Sequence, residues 1–451
     1  MLRDRKWALG LVVVAVAALV LRIAYVLLTK NPRYLGGDDF YYHHGANLLV
    51  DGEGFVDPIQ LLRFHHRTPG AVHPPGYIVA LAIPSLFGFR SVLDHQIWSC
   101  VIGAGTIVLV GIAGREIAGP RVGLVAAALA AVYPNIWFSD SVVMSETLVI
   151  FTTALTIVVA YRFAKRATMW LAAGLGVAVG FTALTRAESI LLVPLLVVPL
   201  ALVLRALTVR RRLELLAVSV GATLLTIAPW IGYNLVRFEH PVFLSSNLEH
   251  TLLSANCDPM YHGPFIGFFS LACGSRFTPP KGDESVQERF YRDKVGDYVS
   301  DHESRVPVVI LARLGRTWGL FNVNQQMTID TIEGRELNLS RVGLGMFYAF
   351  VAAGVVGAIA LRRRRVPLTP LLAVIAAVAL TVAVVYGTTR FRAPAEVPLV
   401  LLGAVGLDVA ARRAVAAVRN RRAHRGGSPT QERSVSLARA ETRALRILRA
   451  S

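Results

Sequence analysis

Ten runs of apolar residues, parted by short polar or basic breaks, dominate the chain. They cover 7–28, 95–114, 121–135, 145–163, 169–186, 188–205, 214–236, 341–361, 367–387 and 394–411. A helix that crosses a bilayer needs about 20 such residues, so each run predicts a span, two of them (121–135 and 169–186) short. An eleventh apolar stretch, Gly76–Phe89, breaks the pattern. The stretch Trp7–Leu28 is too long for a signal peptide and predicts an uncleaved first span.

The breaks alternate in charge. Arg3, Arg5 and Lys6 precede the first run, and Arg115 and Arg121 bracket the Gly119-Pro120 turn. Arg162, Lys165 and Arg166 follow the fourth run, and Arg205 with Arg210 to Arg212 the sixth. Arg362 to Arg365 follow the eighth, and Arg412-Arg413 the tenth. Lys and Arg favour the cytoplasmic side, so every second connection and both termini are predicted to be cytoplasmic. If Gly76–Phe89 also crossed, every later basic cluster would face outward. It is therefore predicted as an interfacial helix. The expected organisation is an N-terminal membrane module, 1–236, with a large first extracytoplasmic loop, 30–93. An extracytoplasmic region, 237–340, membrane helices over 341–411 and a basic cytoplasmic tail, 412–451, follow. Gly426-Gly427-Ser428-Pro429 interrupts the tail, and a short amphipathic helix is predicted near 433–449.

Composition agrees. Of 451 residues 54% are hydrophobic and only 17% charged, and the mean hydropathy is +0.53. Soluble domains carry about 25% charged residues. The net charge of +18 would suit nucleic acid, but the basic residues sit between apolar runs and in the tail. That placement fits membrane topology and anionic headgroups, with no nucleic-acid partner. Of three cysteines, Cys100 lies in an apolar run and reads as a packed thiol. Cys257 and Cys273 share the 237–340 region, whose predicted location is oxidising, and are expected to form a disulfide.

Candidate chemistry gathers in the predicted outer connections. The first loop holds Gly36-Gly37-Asp38-Asp39, then Tyr42 and Ala46. On a helix Asp38, Tyr42 and Ala46 share a face. Paired acids at a membrane surface are costly unless solvated, partnered or useful; the plainer alternative is a solvated helix start. His73-Pro74-Pro75-Gly76-Tyr77 sets an extended approach to the interfacial helix. His43, His44, His65, His66 and His73 make the loop histidine-rich. A divalent metal held with Asp38 or Asp39 is one reading of it, but no tight ligand spacing supports a site. Glu146 opens the fourth span, and Arg186 and Glu188 mark the turn after the fifth. Arg390 and Arg392, before Pro394, break the charge bias of their predicted side, as residues meeting an anion such as a lipid phosphate would. Snorkelling to headgroups is the alternative.

These residues, in order, resemble the polyprenyl-phosphate-sugar-dependent glycosyltransferases of the GT-C fold, notably bacterial relatives of protein O-mannosyltransferases and of lipid A aminoarabinose transferases. The matching features are Asp38-Asp39 with Tyr42 and Ala46, His73 to Tyr77, Met144-Ser145-Glu146, and Leu184 to Arg186. Pro229-Trp230 with Asn234 and Arg237, and Arg390 to Pro394, complete the set. The resemblance spans about residues 7–411 and implies an all-α polytopic membrane protein of about ten spans, with interfacial helices in its first outer loop. It implies inverting transfer of a sugar from a polyprenyl-phosphate donor to an extracytoplasmic glycan, lipid or protein acceptor at the plasma membrane. Asp38 would be the general base, with Asp39 and Glu146 orienting it or the acceptor. Arg390, Arg392 and Arg186 would contact the donor phosphate, and Tyr42, His73 and Tyr77 would position substrate. Glu146 stands where the aminoarabinose transferases carry Asp, which argues against that substrate. A transporter or flippase of a lipid-linked intermediate would instead show repeated halves and ionisable residues deep in its spans. A non-catalytic envelope scaffold would tolerate loss of Asp38, Glu146 and Arg392 together.

Overall fold

The computed structural model describes residues 2–30, 35–204 and 206–425. The predicted break at 426–429, the helix near 433–449 and Arg205 fall outside the described residues. Among the described residues the chain is helical and has no sheet; Val56 and Pro69 form one isolated bridge. Each predicted apolar run lies on helix. Six helices are long and apolar enough to cross a membrane: Asp4–Lys30, Val92–Ala118, Glu146–Lys165, Val209–Arg237, Leu337–Arg363 and Thr389–Asn420. A seventh forms if Pro120–Val132 and Pro134–Ser141 are one span bent by 72°. The other three predicted spans are the shorter apolar helices Met169–Thr185, Ala187–Leu202 and Thr369–Val384.

In chain order, α1 (Leu2–Tyr25) leads to α2 (Asp38–Val50), α3 (Pro58–Phe64) and α4 (Gly76–Leu86), all three in the first loop. α4 is the helix predicted from Gly76–Phe89. α5 (Val92–Ala118), α6 (Pro120–Val132), α7 (Pro134–Trp137), α8 (Glu146–Lys165) and α9 (Met169–Thr185) follow. The next run is irregular: 3-10 over Ala187–Leu191, π over Val193–Val197, then α10 (Val198–Leu202). Pro194 and Pro199 each remove an amide donor there, which forces the ladder to re-register. α11 (Val209–Arg237) ends the first half of the bundle.

The predicted 237–340 loop is itself helical. It contains α12 (Leu248–Ala255), α13 (Asp258–Tyr261), α14 (Leu271–Gly274), α15 (Glu284–Asp301), α16 (Val306–Thr317) and α17 (Val323–Asp330). α18 (Leu337–Arg363), α19 (Thr369–Val384) and α20 (Ala393–Arg425) close the bundle. α20 runs well past residue 411, so the basic tail starts as helix: its Arg and Ala residues are strong helix formers.

Small residues let the helices approach. A Cβ on Gly406 of α20 would lie 1.9 Å from the Ala353 carbonyl oxygen, and one on Gly357 of α18 2.1 Å from that of Leu402. Without a water-driven force between spans, such backbone proximity supplies the packing.

Buried cations fasten the 237–340 region. Arg313 of α16 donates to the carbonyls of Ala383 (3.1 Å), Val384 (2.8 Å) and Ala255 (3.1 Å). Arg316 donates to those of Ile266 (2.7 Å) and Pro264 (2.9 Å). Cys257 and Cys273 form a disulfide with their Cα atoms 6.2 Å apart, while Cys100 is a buried free thiol. The same region grips the first loop. Glu284 accepts from the Ala71 amide at 2.9 Å and from the Ser246 hydroxyl. Arg237 donates to the Gly70 carbonyl at 2.7 Å and to that of Phe55.

Gly406→Ala should push α18 and α20 apart. A loss of about 1–3 kcal/mol is expected, read as a lower thermal midpoint in detergent. An unchanged midpoint would mean the crossing does not hold the bundle.

Candidate active site

Gly37 is the N-cap of α2, so Asp38 and Asp39 form its first turn, beside the exposed amides that favour anions. The two carboxylates part company. One Asp39 oxygen accepts from the amides of Gly36 (3.1 Å), Gly37 (2.9 Å) and Phe40 (2.9 Å). It therefore fixes the backbone that leads into the helix. Asp38 points to the mouth of the bundle and stays partly exposed.

Asp38 meets Arg390, whose Nη2 lies 2.6 Å from Oδ2. His73 Nε2 lies 3.4 Å from the other oxygen. The His73 ring stacks on Tyr42, with centroids 4.8 Å apart, and Tyr42 meets the edge of Tyr77 at 5.1 Å. Tyr77 is fully buried and shares a 2.7 Å hydrogen bond with Ser99 of α5. The Pro74-Pro75 turn and the first turn of α4 thus set a column of rings that ends at Asp38.

Glu146 opens α8 and is 1% exposed. It binds Arg390 Nε and, at 2.7 Å, Arg186 Nη1. Arg186 also pairs with Glu188 at 2.6 Å and lies over the Phe391 ring. Glu333, between α17 and α18, reaches Arg390 Nη1 at 3.6 Å. Sequence reasoning passed over Glu333, because nothing in its local pattern marks it. Lys30 at the end of the first span donates to the Gly334 carbonyl at 2.7 Å and holds this connection over the site.

Burial alone would raise the Asp38 carboxyl, but Arg390 and His73 hold it well below the usual carboxylate range. Glu333 is shifted the other way: burial outweighs the pull of Arg390 and Arg335 and raises its carboxyl. The site thus has a firmly ionised acid at its partly exposed end and a more weakly held one beside it.

The sequence model of the dolichyl-phosphate-mannose-protein mannosyltransferase family matches residues 72–233. That stretch includes His73, Tyr77, Glu146 and Arg186 but neither Asp38 nor Arg390. A comparison with curated proteins found no match. Among solved structures, the Archaeoglobus fulgidus oligosaccharyltransferase complex with zinc and sulfate superposes with a TM-score of 0.55 at 16% identity. That match covers 90% of this chain and 49% of the archaeal one. The same organism's oligosaccharyltransferase AglB, in complex with an inhibitory peptide and a dolichol-phosphate, gives 0.53 at 15% identity, over 93% and 52%. The chain has the GT-C fold. It spans about half the length of these archaeal chains. ArnT from Cupriavidus metallidurans bound to undecaprenyl phosphate gives a TM-score of 0.42 at 15% identity, over 89% of this chain and 78% of that one.

On this GT-C scaffold, Asp38, Glu146, Arg186, Arg390, His73 and Tyr42 come together. Three residues predicted with them fall elsewhere. One Asp39 oxygen binds the backbone ahead of α2. Tyr77 sits one layer below, propping Tyr42. Arg392 turns away from Arg390, since the two lie on different sides of the 3-10 turn Thr389–Arg392. Its Nε pairs with Glu396 at 2.6 Å, Nη1 donates to the Thr317 carbonyl at 3.0 Å, and its guanidinium covers the Phe347 ring at 3.9 Å. Its guanidinium is buried between α16, α18 and α20 and is paired there with Glu396.

The loop histidines also scatter. His43 bonds His95 at 3.0 Å, and burial pushes its pKa down to about 3. His65 and His66 are exposed near the end of α3. Among the described residues no three His, Cys, Asp or Glu side chains group as metal ligands.

Arg392→Ala would strand the Glu396 carboxylate in the bundle. It should cost about 3–5 kcal/mol of stability. Donor binding by the folded fraction should stay within twofold of the parent, measured by titration with a radiolabelled lipid-phosphate sugar. A selective loss of donor affinity would return Arg392 to the binding site.

Proposed function

We propose that this protein is a membrane glycosyltransferase that moves a sugar, with inversion, from a polyprenyl-phosphate donor to an acceptor hydroxyl outside the cytoplasm. Both termini lie in the cytoplasm on this reading, as the basic connections require. The observation that carries it is the sharing of Arg390 by Asp38 and Glu146 at one mouth of the bundle. The matched family model and the dolichol-phosphate in the archaeal oligosaccharyltransferase support the donor class.

The chemistry follows from that pairing. The donor is a phosphodiester with one negative charge. Its phosphate takes the guanidinium of Arg390, with Arg186 beside it, and displaces Glu333, whose contact is the longest of the three acids on Arg390. The acceptor oxygen attacks the anomeric carbon from the face opposite the phosphate. The carbon–oxygen bond to phosphate breaks and its electrons pass to the leaving phosphate, whose new charge Arg390 stabilises. The acceptor proton moves to Asp38. Glu146 keeps both arginines in place, and His73 fixes the free oxygen of Asp38. The sugar and the acceptor stay open among hexosyl and pentosyl donors and glycan, lipid or protein hydroxyls.

In the resting state Asp38 is a weak base because Arg390 neutralises it. Donor phosphate competes for that guanidinium. Once the cation is shared with phosphate, Asp38 regains basicity beside the acceptor.

Asp38→Asn should lower kcat about 10²–10⁴-fold with insertion and folding intact, read in a radiolabelled lipid-phosphate-sugar transfer assay. Full activity of that variant rejects Asp38 as the base. The pH profile tests the exchange. The carboxyl of the free protein is held below its ordinary 3.8, so it stays ionised as pH falls through that value. The acidic limb of kcat/KM, which reports the free enzyme, should therefore lie below pH 3.8. With phosphate on Arg390 the lowering influence weakens while burial still raises the carboxyl, so the acidic limb of kcat should sit at higher pH. A kcat limb at or below that of kcat/KM rejects the exchange.

A further inference from the structure

The end of the bundle opposite Asp38 carries a second cationic site that sugar transfer does not use. α18 and α20 are pressed together at Gly357 and Gly406, where backbone meets backbone. Just beyond that crossing a groove of about 550 Å³ opens between them. Its rim is four guanidinium side chains, Arg363 and Arg364 at the end of α18 and Arg412 and Arg413 on α20. Its inner wall is apolar, formed by Val356, Ile359 and Val409.

Among the described residues, one of the four rim arginines is paired and three are not. Asp408 lies 2.7 Å from Arg412 and also serves Arg121 at 3.1 Å. Among the described residues, Arg363, Arg364 and Arg413 form no ion pair. Snorkelling arginines normally spread outward around a helix end. Here two pairs on two helices border one concavity, which concentrates positive charge around it.

Depth matches a lipid. Arg412 follows the start of α20 by nineteen residues, about 30 Å at 1.5 Å per residue. That is the thickness of a bilayer's hydrocarbon core. With the Arg390 turn at one headgroup level, the four arginines stand at the other. Val409, Ile359 and Val356 lie about one to two turns nearer the core, at acyl depth.

We propose that this groove is a binding site for an anionic diacyl phospholipid, its phosphate between the Arg363-Arg364 and Arg412-Arg413 pairs and an acyl chain against Val356, Ile359 and Val409. Guanidinium forks suit phosphate oxygens, and a lipid seated there fills the gap left where the two helices diverge. Its chemistry is that of phosphatidylglycerol or cardiolipin rather than a zwitterionic lipid.

The test is native mass spectrometry of the full chain in detergent, titrated with dioleoyl phosphatidylglycerol or dioleoyl phosphatidylcholine. One phosphatidylglycerol should be retained in preference to phosphatidylcholine. The triple variant Arg363→Gln, Arg364→Gln, Arg413→Gln should weaken it about 100-fold. Val356→Trp, which puts a bulky ring where the acyl chain would lie and leaves every charge, should also weaken it. Arg210→Gln, in the basic cluster at the start of α11, should not. Soluble glycerol phosphate should fail to displace the lipid. Equal retention of both lipids, an intact preference in the triple variant, full retention by Val356→Trp, an equal loss in Arg210→Gln, or displacement by glycerol phosphate would each overturn the site.

Discussion

Three carboxylates from three distant segments converge on the Arg390 guanidinium: Asp38 from the first loop, Glu146 from the start of α8 and Glu333 from the connection before α18. A guanidinium at the edge of an apolar bundle is costly without such partners, and so is the 1% exposed Glu146 without a cation. Each group is tolerable only because the others are present. The cluster therefore holds the first loop, α8 and the turn before α20 in one arrangement, and the proposed chemistry rests on the same cluster. Truncating a member should disturb both, which is why neutral amide substitutions that keep the shape are more informative.

Around this centre the protein repeats one device. Buried arginines cap backbone carbonyls that the interrupted helices leave without donors. Arg313 serves the end of α19, and Arg316 serves the turns at Pro264 and Ile266. Arg237 does the same for the first loop at Gly70. Irregular backbone next to a membrane must be satisfied from within, and a guanidinium can serve several carbonyls at once. The geometry of the first loop and the 237–340 region rests on these contacts together with the disulfide.

The helical architecture was legible because apolar runs and basic breaks follow from bilayer thickness and charge alone. Six of the runs form helices that meet the length and composition of a span, whereas Pro194 and Pro199 leave a shorter, irregular element that hydropathy cannot foresee. The site was legible where chemistry was costly: Asp38, Glu146 and Arg390 are charges that an apolar setting would exclude without reason. The fate of neighbours was not. Asp38 and Asp39 are adjacent, as Arg390 and Arg392 nearly are, but a helix turns each residue by about 100° from the last. Composition cannot say which of two like charges faces the cleft. Glu333 escaped because it lies in a polar connection where an acid is ordinary; only the chain's return over the bundle mouth makes it matter.

The Gly387 amide donates to the Gly267 carbonyl at 2.8 Å, inside the disulfide-closed stretch from Cys257 to Cys273. Gly387 stands three residues before Arg390. Its packing against the Arg313 backbone leaves no room even for a methyl group. The outer segment and the arginine turn are thus mechanically one piece. A shift of the Cys257–Cys273 stretch would carry with it the backbone three residues from Arg390.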